Sequence, residues 1–264
     1  MLFYRVIAVA GISSVIATSL DLGEDNYMTR NTGITKIGAA YNNVTLVDSL
    51  KHASWAYNWD MYADGVLPFG VEYCPMLWGP KMYDQWHSAA LNALLSGSGC
   101  LLGFNEPDNA EQANMSPKQA AVDYQTYITP YANQTQLVTP AVTNGVGELV
   151  GLNWLENWFA ECNDQCKPDA VAIHYYADSY SADFIDYITA VVTLARRNGI
   201  ERVWITEFQH TGSVGSQVTF LQDVIPWLVN NTAIERYAYF FVSDGYLLSG
   251  TDLSIIGQTY TSTY

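Results

Sequence analysis

The feature that most restricts how this chain can fold is a set of eight short apolar runs separated by longer helical patterns. The runs cover residues 36–41, 54–59, 70–77, 100–105, 136–142, 170–175, 202–208 and 236–242. A strand with one face in water alternates apolar and polar residues, whereas a strand covered on both faces is apolar almost throughout. These runs therefore predict parallel strands buried on both sides. Between them, Ser116-Pro117 sets an N-cap ahead of a proline at the first helical position and predicts a helix over 117–131. Residues 181–197 carry Phe184, Ile185, Ile188, Val191, Val192 and Ala195 at helical spacing and close on Arg196-Arg197-Asn198-Gly199. Helices over 152–159 and 217–229 complete the later half. Strands alternating with helices imply an α/β fold, a (β/α)8 TIM barrel in a single domain. The rival, a doubly wound open sheet, usually has a glycine-rich phosphate loop after its first strand, and that stretch holds none.

The first twenty residues read differently. One positive charge at Arg5, an apolar run over 6–17 and small side chains at Ala17 and Ser19 follow the grammar of a secretory signal. The run is shorter than the roughly 20 residues needed to cross a bilayer. Residues 258–264 are polar, which argues against a lipid anchor at that end. The expectation is a signal over 1–20 and a catalytic domain over 21–264, secreted to the extracellular space or cell wall, without a membrane anchor and monomeric. Removing 1–20 takes away Arg5 and no acid, leaving 10 basic against 26 acidic residues, net −16. Such a surface repels nucleic acid and anionic membranes and leaves neutral polymers as partners. Four cysteines remain. Cys162 and Cys166 are close enough in sequence to pair; Cys74 and Cys100 are either a second pair or buried free thiols. Asn43, Asn114, Asn133 and Asn230 head glycosylation sequons.

In a barrel of this kind, chemistry gathers where strands end at the C-terminal face. Here those ends read Trp55-Ala56-Tyr57-Asn58-Trp59, Trp78-Gly79-Pro80, Asn105-Glu106-Pro107, His174-Tyr175-Tyr176, Thr206-Glu207-Phe208 and Phe240-Phe241. Aromatic rings stack on sugar faces, while amides and acids bind hydroxyls. Glycosidic cleavage needs two carboxyl groups, and Glu106 and Glu207 end the fourth and seventh runs. A lone carboxylate at a strand end is as readily structural as chemical. Two, framed by aromatic termini, point to hydrolysis.

Asn105-Glu106-Pro107 matches the Asn-Glu-Pro motif of clan A glycosidases. Together, Tyr57-Asn58-Trp59, the stretch from Leu102 to Asp108, the stretch from Ala172 to Tyr176 and the stretch from Trp204 to Phe208 resemble glycoside hydrolase family 128, whose members act on β-1,3-glucan. The likeness runs over 36–260. It implies Glu106 as acid/base, its pKa raised by the neighbouring negative charge, and Glu207 as nucleophile. It implies Asn105 on the sugar 2-hydroxyl and orienting Glu106, and His174 and Tyr176 on the subsite floor, bonded to Glu207. It implies Asn58 as a further sugar contact, and Trp55, Trp59, Trp78 and Phe241 as stacking platforms. Many relatives carry two adjacent aromatics where this chain has Trp55-Ala56. No metal or cofactor is implied. The leading expectation is a secreted retaining endo-β-1,3-glucanase whose partner is a β-glucan. A clan A hydrolase of another β-linked polymer and a glucan-binding wall protein that does not cut remain open, as does endo against exo action.

Overall fold

The computed structural model describes residues 35–262. The signal expected over residues 1–20 lies outside the described residues, as do the last two residues of the chain.

Each apolar run overlaps a strand. These are β1 (Gly38–Ala40), β2 (Trp55–Tyr57), β3 (Glu72–Tyr73), β4 (Cys100–Leu101), β5 (Gln136–Leu137), β6 (Val171–Ala177), β7 (Val203–His210) and β8 (Ile234–Tyr239). All eight pair in parallel, within β1–β2–β3, within β4–β5 and within β6–β7–β8. Isolated parallel bridges join one group to the next. Met76 faces Leu102 after β3 and β4, Val138 faces Ala170 between β5 and β6, and Ile37 faces Tyr237 between β1 and β8. A short antiparallel hairpin, β9 (Leu248–Ser249) and β10 (Asp252–Leu253), follows β8.

The helices are α1 (Tyr83–Leu95), α2 (Pro117–Tyr127), α3 (Leu152–Cys162), α4 (Ser181–Arg197), α5 (Val214–Asn230) and α6 (Ile255–Tyr260). Of these, α4 has the bounds its apolar spacing predicts, and Gly199, at φ 75°, takes the left-handed turn that stops it. The helix expected over 117–131 ends earlier because Pro130 disfavours α geometry at Thr129; a 3-10 turn, Thr129–Tyr131, finishes the segment. Sequence periodicity missed α1. Its buried residues are Trp86, Ala89 and Ala90, mostly small side chains that make a faint apolar stripe.

Alternate residues of each strand enter two separate cores. The inner one takes Ala40, Trp55, Tyr57, Cys74, Cys100, Leu102, Val138, Ala172, Trp204 and Ala238. The larger outer one takes Ala39, Ala56, Leu101, Leu137, Val171, Ile173, Val203 and Ile205 together with the helix faces. This explains the unbroken hydrophobicity of the runs: neither face meets water. Burying apolar surface at about 25 cal/mol per Å2 makes these two layers the main stabilising force. Cys74–Cys100 and Cys162–Cys166 are both disulfides. The first bridges the β3 and β4 segments, where the ladder is reduced to one bridge, so the free-thiol alternative does not hold. No helix among the described residues is long and apolar enough to cross a membrane.

Candidate active site

The C-terminal ends of the strands converge on a cavity of about 480 Å3 lined by Asn42, Trp59, Trp78, Asn105, Glu106, Gln112, Tyr176, Glu207 and Phe240. Two of its residues, Trp59 at φ 58° and Glu106 at φ 41°, hold left-handed backbone without being glycine. Such conformations cost free energy and persist only where surrounding structure enforces them. After β4 the chain turns at Glu106 while its N–H donates to Ala141 O at 2.8 Å, which aims the side chain into the cavity.

Between the two carboxylates lies His174, fully buried on β6. Its Nδ1 is 2.8 Å from Glu106 Oε1 and its Nε2 is 3.4 Å from Glu207 Oε1. One oxygen of Glu106, one nitrogen of His174 and one oxygen of Glu207 all lie within 4.8 Å of one another. That spacing would also suit a cation, but the His174–Glu106 hydrogen bond already accounts for it, and acid–base hydrolysis needs no metal. Asn109 Nδ2 donates to Glu106 Oε2 at 3.0 Å. Glu207, itself only 5% exposed, receives the Trp59 indole N–H on Oε1 at 2.6 Å and the Tyr176 hydroxyl on Oε2. Tyr57 adds a hydroxyl 3.5 Å from Oε1 while donating to Thr206 O at 2.9 Å.

The electrostatics depart from expectation at Glu106. Burial alone would raise its pKa, but the hydrogen bond and positive charge of His174, with the Asn109 amide, hold it below the ordinary carboxylate range. Burial likewise opposes charge on His174, yet Glu207 and Glu106 together raise its pKa above the usual histidine value. The neighbouring negative charge is thus offset at Glu106 by His174, whose charged form the two acids favour. Burial and the charge of Glu207 push Tyr57 and Tyr176 well up, so both remain donors.

Several expected contacts are corrected. Trp55 is 1% exposed and sits in the inner core, its indole N–H on Lys36 O and its ring stacked with Tyr57, so it cannot face a sugar. Asn58 binds Tyr62 O and accepts from the Tyr73 hydroxyl, shaping the loop after β2 instead of lining the cavity. Phe240 lines the cavity, whereas Phe241 packs on Tyr246 and the edge of Trp59. Asn105 does not orient Glu106. Its amide donates to Gln112 Oε1 at 3.1 Å, and its buried Oδ1 has no partner, an acceptor free for a ligand hydroxyl. His174 hydrogen-bonds Glu106 and also approaches Glu207 at 3.4 Å, so it supports both acids, not Glu207 alone, while Tyr176 does bond Glu207. Trp59 and Trp78 both line the cavity, and the Lys81 ammonium lies 3.5 Å from the Trp78 ring centroid. Sequence reasoning placed Asn42 at a strand end without assigning it a role, and missed Asn109 and Gln112. Nothing marks the latter two, which reach the site from the loop after β4.

Residues 33–260 match the family model described as glycosyl hydrolase catalytic core. Alkali-sensitive linkage protein 1 of Schizosaccharomyces pombe is 28% identical over 233 residues, which cover 80% of this chain and 41% of that protein. The chain thus spans less than half the length of this curated relative. A curdlan-specific exo-β-1,3-glucanase of family 128, subgroup III, from Blastomyces gilchristii, solved with glucose, is 42% identical with a TM-score of 0.84, covering 88% of this chain and 100% of that one. A subgroup II endo-β-1,3-glucanase from Sorangium cellulosum is 30% identical with a TM-score of 0.72, covering 86% and 98%.

Proposed function

Because this chain belongs to the glycosyl hydrolase catalytic core family, glycoside hydrolase family 128, and is therefore a glycoside hydrolase, we propose that it cleaves β-1,3-glucan with retention, Glu207 attacking and Glu106 serving as acid and then base. The observation that carries this reading is the approach of a Glu106 oxygen and a Glu207 oxygen to within 4.8 Å in one cavity. Carboxyl groups about 5–5.5 Å apart suit direct attack, whereas inverting enzymes hold them roughly 6.5–9.5 Å apart to admit a water.

In the first step a Glu207 oxygen bonds to the anomeric carbon as the glycosidic C–O bond breaks and Glu106 gives its proton to the leaving oxygen. In the second, water attacks that carbon, Glu106 takes the water's proton, and the ester bond to Glu207 breaks. Glu106 needs a proton at the start although His174 favours its ionised form. Sugar seated over the cavity supplies the correction, since expelling water strengthens the burial that already acts to raise Glu106. Asn105, with its free Oδ1, accepts from a sugar hydroxyl, and Trp59, Trp78 and Phe240 form the apolar walls.

The fold behind this chemistry is a (β/α)8 barrel; the parallel bridges between β1 and β8 support its closure. The protein is secreted as a monomer, consistent with two disulfides and four exposed sequon asparagines. On the mode of attack a second reading has a specific support: the relative at 42% identity acts as an exo enzyme, against endo action for the one at 30%. Chromatography of early products from a long β-1,3-glucan separates the two, glucose alone marking exo action and mixed oligomers endo action.

The mechanism is tested with azide. Glu106→Ala and Glu207→Ala should each lose activity by several orders of magnitude. Azide should restore Glu106→Ala with a β-glycosyl azide product, because azide attacks the ester without a base. Glu207→Ala with azide should give the α-azide. NMR of the first wild-type product should show the β anomer; an α product makes Glu207 a base acting through water and ends the retaining assignment.

A further inference from the structure

We propose that Trp59 is a positioning residue for the nucleophile as well as a wall of the cavity: its indole N–H withholds Oε1 of Glu207 and leaves Oε2 to bond the sugar. This rests on Glu207 being the nucleophile. The two oxygens of that carboxylate are held unequally. Oε1 takes the Trp59 N–H at 2.6 Å and also has His174 Nε2 at 3.4 Å and the Tyr57 hydroxyl at 3.5 Å, whereas Oε2 has the Tyr176 hydroxyl alone. Each carboxylate oxygen carries two lone pairs; with three groups crowding Oε1 and one on Oε2, Oε2 keeps the more open approach to the anomeric carbon. An indole N–H is a donor only and does not titrate, so unlike a hydroxyl it cannot turn to accept and release the oxygen.

The ring is also fixed in place. Trp59 sits edge-on to Tyr57, Phe240 and Phe241 at centroid distances of 5.2, 5.8 and 6.1 Å, on a backbone at φ 58°. A stacking wall alone would not require that strained turn. Through the cycle the bond follows the charge. As Oε2 joins the anomeric carbon, the glycosidic bond breaks and the leaving oxygen takes the Glu106 proton, while Oε1 becomes the carbonyl oxygen of the ester. When water attacks that carbon and its proton passes to Glu106, the Oε2–carbon bond breaks and its electron pair returns to the carboxylate. Negative charge then grows again on Oε1, where the Trp59 N–H stabilises it.

Trp59→Phe keeps a ring and removes the donor. Loss of a charge-assisted hydrogen bond that strengthens in the second step should lower kcat about 10- to 100-fold, with KM for laminari-oligosaccharides unchanged or lower. Trp59→Ala should lower kcat similarly and raise KM as well. Wild-type kcat with a raised KM in Trp59→Phe would reduce Trp59 to a wall and overturn the proposal. A substrate-free measurement guards against a poorly folded variant and against error in the assigned activity. In wild-type protein the Trp59 indole proton, identified by NMR as the resonance missing from Trp59→Phe, should lie downfield of the other indole protons and move upfield in Glu207→Gln. If it stays put, the bond to Glu207 is not made. If the wild type releases nothing from β-1,3-glucan, the functional reading fails while this shift still decides the hydrogen bond.

Discussion

The two carboxylates hold the pKa of the buried His174 above its ordinary value, and that makes stability depend on pH in a definite way. Glu106, held below its ordinary range, adds stability that is complete above about pH 4.3 and is lost as pH falls through its folded value. His174, held above its ordinary range, adds stability that is complete below about pH 6.5 and is lost as pH rises through its folded value. Both contributions coexist between roughly pH 4.3 and 6.5. The gap in Tm between wild type and His174→Gln should therefore be widest there and narrow at higher pH; a gap constant from acid to alkaline buffer would contradict the charged imidazolium. At this scale the sequence was readable for the two acids, because each ends an apolar run. It was not readable for the tryptophans. Trp55 and Trp59 are four apart in the same motif, yet one is sealed in the inner core and the other lines the cavity. The difference is the left-handed turn at Trp59, which no residue type announces.

Among the elements, strand existence and order were legible and strand length was not. Parallel strands covered on both faces write themselves as apolar runs, but the ladder reaches only two residues in β3, β4 and β5 before the chain turns away. Where hydrogen bonds are few, covalent links take over. Cys74–Cys100 joins the β3 and β4 segments across a separation of 26 residues, and Cys162–Cys166 closes α3 across 4. Loop-closure entropy assigns roughly 3.5 kcal/mol to the longer loop and about 2 kcal/mol to the shorter. Replacing both cysteines of a pair with alanine should lower stability in urea unfolding in that order. The inner pair should lose more still, since both its sulfurs are wholly buried and accept from the Arg236 guanidinium at 3.3 and 3.7 Å. Equal losses for the two pairs would mean that closure entropy is not what these bonds supply.

Across the described residues, the eight-run count read from the sequence matches the parallel order of strands, but the seam where β1 meets β8 had no sequence signal. It is built by α6, six residues long and too short for a periodic pattern. Tyr260 is completely buried there. Its hydroxyl accepts from Gly38 N at 3.2 Å and donates to Gly38 O at 2.8 Å, with Tyr237 O a second acceptor at 3.1 Å, tying α6 to β1 and β8. Lys36 reinforces the seam by donating to the last carbonyls of α5, Leu228 O and Val229 O, and to Asn231 O. Tyr260→Phe keeps the ring and removes the hydroxyl, leaving the Gly38 amide buried without its partner, which should cost about 1–3 kcal/mol. The inner core draws side chains from both sides of the seam, Ala40 and Trp55 on one and Trp204 and Ala238 on the other. A weakened seam should therefore lower the midpoint without dividing the transition: far-ultraviolet circular dichroism and tryptophan fluorescence should still coincide. Two separate transitions in Tyr260→Phe would show that the β6–β8 side can hold together when β1 leaves it, and that the seam, not the shared inner core, couples β1 to β8.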